Sequence, residues 1–148
     1  MNIDKLKGEL RGNPLHLKER LDINDKNARK IGYGHDLNLS PLPAGWTMPI
    51  TFDKAEALLV LDVRRIEHEC EQRLSMWSQR DPARKMATAI LVYHLGIEAV
   101  AKMQMVNMYI RQGLFSHAAD SIEASEFARS EPEVAARVAA MLRTGRET

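Results

Sequence analysis

A chain of 148 residues, 45% of them apolar, is long enough for one globular domain with its own core, or for two small lobes sharing a helix. Its 21 Lys and Arg against 20 Asp and Glu leave a formal charge of only +1, which argues against a nucleic-acid partner. No segment approaches 18 uninterrupted apolar residues, so no membrane span is expected.

The start, Met1-Asn2-Ile3-Asp4-Lys5, lacks the apolar run of a signal peptide, and a cytoplasmic location follows as the expectation. Ile3, Leu6 and Leu10 then recur at spacings of three and four, predicting a short amphipathic helix over 1–11 that Gly12-Asn13-Pro14 stops. Such a helix is too short to stand alone, and it is expected to pack back on the helical part of the chain. From Leu15 to Tyr33 apolar residues are sparse and alternate loosely. This stretch predicts an exposed β-hairpin or three-stranded sheet, with a turn at Asn24-Asp25-Lys26-Asn27. Ile31-Gly32-Tyr33-Gly34-His35 comes next, then a loop, Ser40-Pro41-Leu42-Pro43-Ala44-Gly45-Trp46, too rich in Pro and Gly for regular structure. Trp46 there either stacks on a sugar or pins the loop down.

Thr51 reads as the N-cap of a long helix, with Asp53 and Glu56 placing negative charge in its first turn. Leu59, Val63, Ile66, Cys70 and Leu74 form one face of that helix, which should run for about 23 residues, roughly 35 Å. Asp81-Pro82 is an N-cap followed by a first-turn proline. The run Met86 to Leu95 is apolar on nearly every side, as in the buried axis of a bundle, and Gly96 closes it. Shorter helices are predicted at Glu98–Met103, Val106–Arg111, Ser116–Ala124 and Pro132–Arg143, with Ser130 as a start signal for the last. Met103, Met105 and Met108 read as core, or as an interface if exposed. The expected architecture is α+β and mainly α: a small N-terminal β lobe over about 13–50, a long connecting helix, and a helical lobe built from about 1–12 and 51–148. The cleft between such lobes is the default ligand site.

Four pieces in this order carry a resemblance. They are Ile31-Gly32-Tyr33-Gly34-His35; the opening of the long helix from Ile50-Thr51 through Ala55-Glu56 and Leu58-Leu59 to Asp62-Val63; Ala89-Ile90-Leu91-Val92-Tyr93-His94-Leu95-Gly96; and Arg137 to Gly145. Together they resemble the phage-type lysozymes (endolysins, a glycoside hydrolase family) over almost the whole chain. The resemblance implies a bilobal lysozyme-like fold, with peptidoglycan as the family's substrate class.

It also implies where the chemistry should stand. Cleaving a β-1,4 glycosidic bond needs a protonated carboxyl over the leaving oxygen and a second group that handles water or the developing cation. Family members place a Glu at the end of the first helix, an Asp in the hairpin, and a Thr just before the Ile-Gly-x-Gly-His string. Aligned by the N-termini, Arg11 stands at the acid position; aligned by Leu15-x-Leu17-Lys18, Asn13 stands there. Neither is a carboxylic acid. Glu9, one turn before Asn13 on the same helical face, is the alternative donor. Asp22 matches the family Asp if two residues are inserted in the hairpin, with Asn24 and Asp25 as competing candidates and plain turn formation as the competing role. Glu19 reads as a solvated strand residue.

Lys30 stands at the Thr position, where an ammonium should pair with Asp22 or a bound anion and depress the pKa of any acid beside it. Ile90 replaces a family amide, and Glu126 stands where the family carries an Arg. Gly32, Gly34 and His35 keep the structural motif, His35 as a hydrogen-bonding post for the β lobe. His94 reads as a core residue, and His16, His68 and His117 show no metal-ligand spacing. No metal and no cofactor are expected.

Three functions follow as expectations. The leading one is a phage or prophage protein with a lysozyme fold and a degenerate site, a pseudoenzyme that binds peptidoglycan or a host or phage protein. The alternatives are an active endolysin, an N-acetylmuramidase using Glu9 and Asp22, and an inhibitor of a host defence system built on a lysozyme scaffold.

Overall fold

A computed structural model of the chain describes residues 1–13, 15–21, 29–38 and 40–147. The first described elements are α1 (Ile3–Leu10), β1 (His16–Leu21), β2 (Arg29–Gly32), β3 (His35–Asp36) and α2 (Phe52–Arg73). A 3-10 turn at Trp77–Gln79 leads into α3 (Pro82–Leu95), α4 (Ile97–Ala101) and α5 (Gln104–Arg111). The chain then forms α6 (Phe115–Glu123), α7 (Glu126–Ser130) and α8 (Pro132–Thr144). The class is α+β and mainly helical, as expected. The turn anticipated at Asn24–Asn27 lies outside the described residues, as do Asp22 and Asp25. The chain divides into two compact units, Ile3–Arg65 and Ile66–Thr148 with Met1–Asn2. α1 therefore shares a unit with the strands, where residues 1–12 were expected to join the helical part.

In the unit Ile3–Arg65, α1 buries Leu6 and Leu10, one turn apart, while Ile3 stays exposed. The helix ends as Gly12 N–H donates to the Glu9 carbonyl at 3.1 Å and Asn13 N–H to that of Leu10 at 3.1 Å. The sheet is antiparallel in the order β1-β2-β3, with an irregularity in the β1–β2 register between His16 and Arg20. β2 and β3 pair Lys30 with Asp36 and Ile31 with His35 across the turn Gly32-Tyr33-Gly34. Gly32 holds φ +66°, the left-handed region that suits glycine. A Cβ there would find ordinary contact at 3.7 Å from Ala55 Cβ, so conformation and not space requires the glycine.

Thr51 caps α2 as expected, its Oγ1 accepting from Lys54 N–H at 3.2 Å. The predicted stripe on this helix and just beyond it, Leu59, Val63, Ile66, Cys70 and Leu74, is buried throughout. α2 runs for 22 residues, one fewer than the spacing suggested.

In the unit that begins at Ile66, α3 is the buried axis. Asp81 caps it by accepting from Arg84 N–H at 3.1 Å, with Pro82 in the first turn. Met86, Ala87, Ala89, Ile90, Leu91 and Val92 are all buried. Gly96, at φ +86°, ends the helix and donates to the Val92 carbonyl at 2.8 Å. α8 packs on α3, α6 and α7, and α5 packs on α6. Met141 and Leu142 of α8 are fully buried, each contributing roughly 1.5–3 kcal/mol of apolar burial.

Three expectations change here. α7 was not anticipated, and Ser130, taken as a start signal for α8, closes α7 instead by donating to the Phe127 carbonyl at 3.3 Å. Met105 is exposed and Met103 and Met108 are half-buried, so these are not core residues; the apolar positions of α5 that turn inward are Val106 and Ile110. His94 is half-buried, its ring 5.9 Å from that of Tyr93 and 5.7 Å from that of Phe127. No helix among the described residues is long and apolar enough to cross a membrane.

Candidate active site

His35 is the most constrained polar group of the unit Ile3–Arg65. Strand β3 carries it inward, where it is 3% exposed. Its Nδ1 donates to Asp62 at 2.8 Å to Oδ1 and 3.0 Å to Oδ2, and its Nε2 donates to the Ser40 carbonyl at 2.7 Å. An ionised carboxylate and a carbonyl oxygen only accept, so this pair of contacts favours the doubly protonated ring. Burial alone would lower the His35 pKa. The hydrogen bond and charge of Asp62, with the Ser40 carbonyl, outweigh it and raise the pKa above the ordinary histidine value. Asp62 is equally buried and also accepts from Arg65 Nη2 at 3.4 Å.

The two positions that the resemblance assigns to the acid are both engaged. Arg11, just past α1, grips Glu56 of α2: Nε donates to both carboxylate oxygens at 2.9 and 3.0 Å, and Nη2 donates to Oε2 at 2.8 Å. The Arg11 hydrogen bonds hold the Glu56 carboxyl below its usual range, against a smaller effect of burial, and the Tyr33 hydroxyl adds a further bond. Burial, then the charge of Glu56, pushes the Tyr33 phenol up in turn. Asn13 is half-buried and its Nδ2 donates to the Tyr33 carbonyl at 3.2 Å. The structure thus gathers Arg11, Asn13, Tyr33 and Glu56 around the end of α1. Glu9 is half-buried on α1 and its side chain is not free of partners.

Lys30 is buried, and its Nζ lies 3.7 Å from Asp36 Oδ2. The expected partners were Asp22 or a bound anion. Asp36 stands beside it because the β2–β3 register sets it directly opposite Lys30, and Asp22 lies outside the described residues. Trp46 is half-buried with the Lys54 ammonium 5.0 Å from its ring centroid, a cation–π contact that ties the loop to α2. Ile90 and Glu126 belong to the other unit. Ile90 is buried in α3, and Glu126 is exposed in the first turn of α7, where its charge suits the helix N-terminus. The side chain of Glu19 lies outside the described residues.

Among the participants not singled out as site residues from the sequence are Tyr33, Asp36, Glu56 and Asp62. Asp62 carried a readable signal, since it sits on the apolar stripe of α2 between Leu59 and Val63, where a charge must find a partner. Glu56 had been read only as helix N-terminal charge. Chemically the gathered groups are ionised and paired: an imidazolium on a carboxylate, a guanidinium on a carboxylate, an ammonium beside a carboxylate. Among the described residues no three His, Cys, Asp or Glu side chains cluster as a metal site.

No curated protein matches the chain. The model of the phage lysozyme family, however, matches residues 16–142, from the first strand through most of α8. With the greater part of its length matched, the chain belongs to the phage lysozyme family.

Proposed function

We propose that this phage lysozyme-fold protein works by binding, to peptidoglycan or to a protein partner, and does not cleave the glycan. The observation that carries this is the Arg11–Glu56 pair. A general acid for glycoside hydrolysis must hold its proton near neutral pH, which needs a raised carboxyl pKa. At one family acid position this chain has a guanidinium, and the carboxylate that the guanidinium holds has its pKa lowered. The other acid position is an amide committed to a backbone carbonyl. A buried ammonium, Lys30, stands at the Thr position and favours ionisation of any acid near it.

The test is digestion of purified Gram-negative sacculi, with soluble muropeptides followed by chromatography and sacculus binding followed by co-sedimentation. The expected result is no muropeptide release above buffer. Release that is lost on Glu9→Gln overturns the proposal and restores an active muramidase. Co-sedimentation with intact sacculi points to the glycan as the bound partner, and its absence points to a protein.

A further inference from the structure

A pocket of about 230 Å³ opens between the 3-10 turn, the start of α3, the end of α5 and the start of α6. Arg80 in its lining is out of the ordinary. It is only 8% exposed, yet its contacts are neutral: Nη1 donates to Thr88 Oγ1 at 2.9 Å and Nη2 to Asn107 Oδ1 at 3.1 Å. Its Nε is buried without a hydrogen-bond partner, and among the described residues no carboxylate pairs with it. Apart from the Trp77 ring, 5.8 Å from its guanidinium carbon, this buried cation has only neutral acceptors and no counter-charge, and an unsatisfied buried donor marks incomplete compensation.

The rest of the lining sharpens this. Arg111, exposed at the end of α5, forms no ion pair among the described residues, and its charge adds to the effect of burial in disfavouring the charged form of Arg80. Asp81 is the acid of the lining and is already engaged, with Oδ1 accepting from Arg84 N–H at 3.1 Å and Oδ2 from Arg84 Nη1 at 3.3 Å. Arg80, Arg84 and Arg111 against Asp81 leave three positive charges to one negative in the wall. Phe115 and Ile110 supply an apolar side.

We propose that this pocket binds a phosphate-type oxyanion, free or carried as the monoester of a small organic group, with Arg80 and Arg111 as its cationic contacts. Guanidinium groups present planar forks of N–H donors that match a tetrahedral oxyanion, and the excess of positive charge in the lining favours an anion there. The volume suits a group of this size and not a drug-sized ligand.

Isothermal titration of the full chain with inorganic phosphate and with phenyl phosphate, against sodium chloride at matched ionic strength, tests this. Saturable one-site binding of a phosphate probe and none of chloride is expected. Tighter binding of phenyl phosphate identifies an ester-borne phosphate, and equal binding identifies the free ion. Arg111→Gln, an exposed change that leaves the fold intact, should weaken binding about tenfold, the size of one charge-assisted hydrogen bond. Arg80→Gln should abolish binding if the variant folds; if it does not fold, the Arg111 variant decides. No saturable heat with either probe, or affinity unchanged in Arg111→Gln, overturns the proposal. Muropeptide release is an independent readout, so each proposal can fail without the other.

Discussion

His35 is charged because of where its two nitrogens point, and that has a consequence for stability. Its folded pKa lies above the unfolded value of about 6.5, so its contribution is fully present below that pH and is lost as pH rises through the folded value. His35→Asn leaves Asp62 buried without its main partner and should cost about 3–5 kcal/mol in urea unfolding at pH 6. The gap to the parent chain should narrow as the pH rises; a gap constant from pH 6 to 9 would show that His35 is neutral in the folded state. The Arg11–Glu56 pair behaves differently, because its side chains are 40% and 25% exposed. Arg11→Met should change stability by less than about 1 kcal/mol, measured the same way. With the Glu56 pKa lowered, this small contribution is present above the unfolded carboxylate pKa and lost as pH falls through the folded one. A residue central to the functional argument is thus expected to be nearly silent in stability.

At the scale of elements, helices are joined by side chains reaching from one to the end of another. Arg84 of α3 donates through Nε to the Leu142 carbonyl at 2.8 Å and through Nη2 to that of Arg143 at 3.4 Å, meeting acceptors that the end of α8 leaves open. Its guanidinium carbon also lies 3.6 Å from the ring centroid of Phe115 in α6. Gly145 closes α8 at φ +71°, and a Cβ there would collide with Arg84 Nη1. Gly145→Ala should therefore lower stability by at least the roughly 1–2 kcal/mol of a left-handed residue, read as a drop in Tm. The helices with long apolar periods, α2 and α3, were legible in the sequence with their caps, because period and cap are both local. α7 was not: its five residues span little more than one turn, too short for a period to show. α5 was found, but whether its methionines faced inward or outward was left open, and the buried face is that of Val106 and Ile110.

For the molecule as a whole, Cys70 is a built-in reporter. It is fully buried on α2, and burial pushes its thiol up to about 12. A thiol reagent at pH 8 should label it only as the chain unfolds, with labelling rising through the urea transition in step with circular dichroism. Fast labelling in buffer would show that α2 opens locally at Cys70.

What the amino-acid order determined alone was the long helices with their caps, the buried stripe of α2, and the family, since each depends on residues close together along the chain. The pairings were decided by tertiary structure. Lys30 meets Asp36 because two strands share a register, Glu56 holds Arg11 because α1 ends beside α2, and Asp62 receives His35 because β3 turns the ring inward. A charged side chain takes its protonation from its neighbours in space, which lie up to 45 residues away for Arg11 and Glu56, and no local pattern records that distance.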